Sequence, residues 1–217
     1  MFKNALVSVS NKDGLVEFIK PLAERGMRVV STGGTAKHLR DAGVEVVSVS
    51  EQTGFSEVMD GRVKTLHPRV HMALLARNFV ESDLQTLKQQ ELEPFDLVVG
   101  NLYAFEEALL KGVEEIQLQE FIDIGGPSLL RAAAKNYDRI TTVCDPKDYR
   151  WILQQEKMES KERRKLSAKV FSHVSSYDSM VAQALSADTE EQLQREDLSL
   201  GGKRVKSLRY GENPHQK

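Results

Sequence analysis

The chain holds a single cysteine, Cys144, so no disulfide can close within it. That fits a reducing cytoplasm. No apolar run approaches the roughly 20 residues that cross a bilayer. Met1-Phe2-Lys3-Asn4 enters a strand-like run at once, without the layout of a signal peptide. Neither sign of charge dominates: 30 Lys and Arg stand against 32 Asp and Glu, a formal net charge of −2. There is therefore no general electrostatic case for a nucleic-acid or membrane partner. Internal repeats are absent. What is there, 40% hydrophobic and 29% charged residues over 217 positions, is the balance of a soluble globular protein. It is long enough for one domain, or one domain plus an extension, with a sizeable core.

Hydrophobic patterning predicts a strand over 5–9. A helix then carries Leu15, Phe18, Ile19 and Leu22 on one face and ends near Gly26. A second strand over 28–31, a helix over 36–42 and a third strand over 44–49 follow. A turn-rich stretch leads from Gly54 through Pro68. Beyond it come a helix over 84–92, a strand over 95–100, helical segments over 106–110 and 114–122, a helix from Pro127 and a fifth strand over 140–144. The alternation with short connections predicts an α/β fold, a three-layer parallel sheet with helices on both faces. Ligands of such sheets bind beyond the carboxyl ends of the strands. After Asp145 a short helix over 149–155 and a long one over 160–185 form a C-terminal helical extension. Val170, Val174, Tyr177, Val181 and Ala184 make an apolar stripe on the long helix, suited to a neighbour or a second subunit. Residues 186–203, charged and punctuated by glycine, read as a linker.

The stretch Ile122-Asp123-Ile124-Gly125-Gly126-Pro127 feeds a helix. Pro127 suits a first turn, the two glycines admit a close ligand, and the outward N–H groups attract negative charge. Asp123 precedes this corner and Lys135 lies about two turns into the helix. Together they look equipped to stabilise a developing negative charge, although an ordinary glycine-rich helix start with a surface lysine fits as well. Thr32, Gly33, Gly34 and Thr35 between strand and helix form a candidate phosphate cradle, with amides and hydroxyls as donors. The alternative is a simple turn. Ser10, Asn11 and Lys12 fall at the same edge, and Lys12 is either an assistant cation or a solvated lysine. Arg62 and Lys64, flanking Val63 and followed by Thr65, point to one face of an extended backbone. They could hold a phosphate or polarise a carbonyl, or they are a charged surface loop. Gly100, Asn101 and Tyr103 arrive at the end of the fourth strand. His67 and His71 have the spacing of a zinc pair, but Pro68 stands where the zincin motif needs glutamate and no third ligand suggests itself, so no metal is expected. Cys144 reads as a buried structural thiol. The convergence of hydroxyls, amide-bearing loops, cations, a phenol and a carboxylate at one edge suits a phosphorylated substrate and proton transfer without a cofactor.

Ser8-Val9-Ser10, Ser31-Thr32-Gly33-Gly34-Thr35-Ala36, Gly61-Arg62-Val63-Lys64-Thr65-Leu66-His67-Pro68, Asn101-Leu102-Tyr103 and Ile122-Asp123-Ile124-Gly125-Gly126 together resemble one family. It is the IMP cyclohydrolase domain of the bifunctional purine biosynthesis protein, which also carries an AICAR transformylase domain. The resemblance implies a methylglyoxal-synthase-like fold over 1–146, a helical extension over 147–185, and over 186–217 a linker with the truncated start of the transformylase domain. That last part rests on Leu208-Arg209-Tyr210-Gly211-Glu212-Asn213-Pro214-His215-Gln216. It further implies a cytoplasmic homodimer followed covalently by the transformylase domain, with transformylase activity absent from this stretch. A small-molecule ribonucleotide is the expected substrate, with no nucleic acid, membrane or cofactor. Ala104 departs from the family's usual proline.

By the same resemblance Lys64, Tyr103, Asp123 and Lys135 form the catalytic group. Ser10, Asn11, Lys12, Thr32, Gly33, Gly34, Thr35, Arg62, Val63, Lys64, Thr65, Gly100, Asn101, Asp123, Ile124, Gly125 and Gly126 bind the nucleotide. Tyr103 or a lysine would relay a proton if a neighbouring cation lowers its pKa. Two rivals share the fold. Methylglyoxal synthases carry a Gly-Gly-Asp carboxylate where this chain has Asp60-Gly61-Arg62. A nucleotide-sensing module has no need of Lys64, Tyr103 and Asp123 together.

Overall fold

The computed structural model describes residues 2–59, 63, 65–186, 199–202 and 206. The chain divides into two compact units, Met1–Val174 and Ser175–Lys217. In the first, five strands run parallel in one sheet: β1 (Asn4–Ser8), β2 (Arg28–Ser31), β3 (Val47–Ser48), β4 (Leu97–Gly100) and β5 (Thr141–Val143). Their spatial order is β3-β2-β1-β4-β5. The chain steps outward from β1 in one direction, then returns to the other side of β1 for β4 and β5. The reversal lies between β1 and β4, where doubly wound sheets leave a crevice at their carboxyl edge.

Alternation along the strands builds two cores. Ala5, Val7, Leu97, Val99 and Val143 point to one face, where helix α1 (Leu15–Glu24) sets Leu15, Phe18, Ile19 and Leu22 against them. Phe18 stacks on Tyr149 of α9 (Tyr149–Leu153), ring centroids 4.4 Å apart. Leu6, Val30 and Val98 point the other way. There they meet Val70, Ala73 and Leu74 of α4 (Pro68–Leu75) and Leu129 and Ala133 of α8 (Gly125–Lys135).

The structure redraws several expected boundaries. Helix α2 (Gly33–Asp41) begins three residues before the expected 36, so the two glycines form its first turn rather than a loop before it. Gly33 has φ 34°, a backbone conformation that side chains resist. The third strand is two residues long rather than six. Ser48 ends it by capping α3 (Val49–Thr53): its hydroxyl accepts from the Glu51 amide while the Glu51 carboxylate accepts from the Ser48 amide. Helix α4 starts at Pro68, where the expected turn-rich stretch ends, and runs over residues to which the sequence reading assigned no element. Its signal was present in Pro68 at the first helical position and in the spacing of Val70, Ala73 and Leu74. Helix α5 (Glu81–Gln89) starts three residues early. The expected 114–122 segment divides into α7 (Glu115–Leu118) and a 3₁₀ turn, Gln119–Phe121, behind α6 (Phe105–Leu110).

Helix α10 (Ser160–Leu185) has its expected bounds. Val170, Val174 and Tyr177 of the stripe are buried, and Val181 and Ala184 are half-buried. Within the first unit, Lys169 on this helix donates to both Asp145 and Asp148 at 2.7 Å, and Ser167 donates to the Ala134 carbonyl. Within the second unit, the Ser179 and Ser199 hydroxyls bond each other and Gly201 lies against Ser176. Most of the expected linker and all of 208–216 lie outside the described residues. Among the described residues no helix is long and apolar enough to cross a membrane.

Candidate active site

A cavity of about 600 Å³ opens at the carboxyl edge of the sheet, over the reversal between β1 and β4. Strand β1 delivers Ser8 and Ser10 to it, β2 delivers Thr32, and β4 delivers Asn101. The N-termini of two helices, α2 and α8, open into the same space through Gly34 and through Gly125 and Gly126. Both present the positive end of a helix dipole.

At the α2 end the hydroxyls are occupied by the protein itself. Thr35 Oγ1 donates to the Val9 carbonyl (2.9 Å) and accepts from the Val9 amide (3.2 Å), and Thr32 shares a bond of 3.0 Å with Ser8. These side chains pin the helix start to β1: the Thr35 O–H is spent on Val9, and the Ser8–Thr32 bond uses one O–H of that pair. The Thr35 and Ala36 amides turn to the Thr32 carbonyl. Gly34, whose first-turn amide no helix can satisfy internally, is the glycine of this turn that lines the cavity. Lys12 lines the same end, its ammonium 3.2 Å from the Ser10 carbonyl.

At the α8 end, Asp123 Oδ1 accepts from the Gly126 amide at 2.8 Å and so caps the helix start. A Cβ on Gly126 would come within 2.9 Å of Asp123 Cγ and 3.0 Å of Leu102 Cδ2, and one on Gly125 within 2.7 Å of the Thr65 hydroxyl. The two glycines are what let a carboxylate and a hydroxyl sit directly on the first turn. Tyr103 stands beside them, 47% exposed. Burial first, and the Asp123 charge second, push its phenol above the ordinary value of 10.0. Among the described residues no cation offsets this shift, and the phenol keeps its proton more firmly than a free tyrosine.

Of the expected set, Ser10, Lys12, Thr32, Gly34, Thr35, Thr65, Asn101, Tyr103, Asp123, Ile124, Gly125 and Gly126 share this cavity. Asn11, Gly33, Val63 and Gly100 do not line it, and Arg62 and Lys64 lie outside the described residues. Lys135 is not among the residues that line this cavity. It is the last residue of α8, ten residues from Gly125, which puts it about 15 Å along the axis from the cavity. It is exposed.

Gln119 and Glu120 line the cavity without having been expected there. In sequence they close a helical segment, and only their nearness to Asp123 pointed to the site. The two histidines serve the backbone. His67 Nδ1 accepts from the Arg69 amide and caps α4, while His71, its pKa lowered by burial, bonds to the backbone of Thr65. Cys144 is buried and its thiol is pushed up to about 12 by burial.

Residues 14–128, more than half of the chain, match the family model of the MGS-like domain. The chain belongs to the MGS-like domain family. Residues 133–217 match a second family model, the AICARFT/IMPCHase bienzyme. Among curated relatives, the bifunctional purine biosynthesis protein PurH of Aquifex aeolicus is 46% identical over 98% of this chain and 43% of that protein. PurH of Ruminiclostridium cellulolyticum is 48% identical over 100% and 43%. The chain therefore spans less than half the length of these curated relatives. Among solved structures, the crystal structure of ForH superposes with a TM-score of 0.76 at 33% identity, covering 85% of this chain and 100% of that one.

Proposed function

We propose that this chain is an IMP cyclohydrolase, closing the ring of 5-formamidoimidazole-4-carboxamide ribotide to IMP in purine biosynthesis. The observation that carries the reading is the joining, in one cavity, of an anion-binding helix start at α2 with the Tyr103, Asp123 and α8 cluster. The match to the bienzyme family model and to the PurH relatives supports it.

The carboxamide nitrogen attacks the formyl carbon of the same molecule. The formyl oxygen takes up the negative charge, is protonated and leaves as water; one proton comes from the attacking carboxamide nitrogen and the other from the formamido nitrogen, which ends in the new C=N bond. Because both groups belong to one molecule, the site has to fix a folded rotamer and move protons. The α2 start at Gly34, with Lys12, holds the 5′-phosphate. The first turn of α8 faces the developing oxyanion, and the protonated Tyr103 gives it a hydrogen bond. The Asp123 carboxylate orients the carboxamide. Lys64, as the resemblance implies, supplies the cation beside the formyl oxygen. Lys135 is left out of the contact set.

The same reading assigns 1–146 to the cyclohydrolase domain, 147–185 to a helical extension and 186–217 to a linker and the start of the transformylase part. It makes the protein a cytoplasmic homodimer, and light scattering on the purified chain tests the dimer. Formyl transfer belongs to the remaining length of the PurH relatives. Incubating the chain with the formamido ribotide and following purine absorbance tests the central reading, and ring closure is expected. Conversion of a triose phosphate to methylglyoxal would make it a synthase. IMP binding without turnover would make it a sensor.

A further inference from the structure

We propose that Asn101 is a positioning residue: its side chain continues the β1–β4 ladder past its last backbone pair and sets the Ser10–Lys12 loop against the cavity. The proposal rests on the cyclohydrolase reading for its kinetic arm only.

The backbone pairing of the two strands ends at Ser8 and Gly100. One residue further the strands diverge around the crevice, and the Asn101 amide crosses the gap. Its Oδ1 accepts from the Ser10 amide at 2.7 Å and from the Asn11 amide at 3.0 Å, and its Nδ2 donates to the Asn11 carbonyl at 2.9 Å. A carboxamide has two lone pairs and two N–H donors. Both lone pairs and one donor are thus taken by the loop, leaving one N–H for any ligand. Among the described residues the other hydrogen bonds of Ser10–Lys12 are local: Asn11 Oδ1 accepts from the Asp13 amide, the Lys12 ammonium folds onto the Ser10 carbonyl, and the Leu15 amide donates to the Lys12 carbonyl. Ser10 and Lys12 stand in the cavity wall with Thr32, Gly34 and Thr35 of the α2 end. Asn101 therefore governs the phosphate end of the site through the loop rather than the reacting carbons.

Interactions made equally with substrate and product alter KM and leave kcat nearly alone, whereas a group acting at the reacting centre alters kcat. Asn101→Ala is expected to raise KM for the formamido ribotide and Kd for IMP by the same factor, about tenfold, with a smaller change in kcat. In the ligand-free chain, hydrogen exchange at the Ser10 and Asn11 amides should quicken in Asn101→Ala. It should stay near the native rate in Asn101→Asp, which keeps the accepting oxygen. A kcat loss larger than the rise in KM, or unchanged Ser10 and Asn11 exchange in Asn101→Ala, would overturn the proposal. Absence of turnover in the unsubstituted chain would overturn the cyclohydrolase reading alone, because the exchange measurement needs no substrate.

Discussion

Tyr103 and Asp123 illustrate how much of the site's chemistry is decided by neighbours. The residues were legible in the sequence, but the direction of their coupling was not, because it depends on burial and on a carboxylate twenty positions away. Asp123→Asn removes the negative charge that disfavours the phenolate. It should bring the Tyr103 titration down toward 10.0, read by phenolate absorbance against Tyr103→Phe. Tyr103→Phe itself should lower turnover by about 10² to 10⁴ and change IMP affinity far less. Gly126→Ala sets a methyl against Asp123 and Leu102. A cost of about 1–3 kcal/mol in a urea titration should accompany a fall in turnover, and unchanged values for both would mean the α8 start accommodates a side chain. Lys64→Ala should cost ring closure far more than IMP binding. Equal losses would make Lys64 an anchor for the phosphate or base.

Helix and strand boundaries went astray where local capping outcompeted periodicity. Val44 to Val49 alternates well enough for a strand, yet Ser48 and Glu51 form a reciprocal cap that turns the chain into α3. Ser48→Ala should cost about 1 kcal/mol, measured by thermal or urea unfolding. The start of α5 carries a pH-dependent element. The Asp83 carboxylate accepts from the Arg77 backbone amide and guanidinium, at 2.8–3.0 Å, and is held down at about 2 against an ordinary 3.8. With the folded value below the unfolded one, the contribution is complete above about 3.8 and is lost as pH falls through about 2. Asp83→Asn should flatten the acid limb of the stability curve in that window, and an unchanged limb would contradict the assignment. By contrast β2 and α10 were read from sequence with the bounds they have, because each is a single uninterrupted pattern between clear stops.

For the whole molecule, the sheet order decides what meets what. Parallel order β3-β2-β1-β4-β5 brings the ends of β1, β2 and β4 and two helix starts to one cavity, and alternation with strand-end motifs was enough to foresee it. Counting residues gave Lys135 a height along α8 but no direction relative to the site. The Asn101 latch was equally illegible, since its partners lie about ninety residues away in the chain. The central claim is that one rim holds a ribotide phosphate at α2 and receives the reacting oxygen at α8. A crystal structure of the chain with IMP bound tests it most directly. The account predicts the 5′-phosphate at the α2 start beside Gly34 and Lys12 and the purine facing Tyr103 and Gly125; a phosphate seated at the α8 start, or IMP bound outside this cavity, would contradict it.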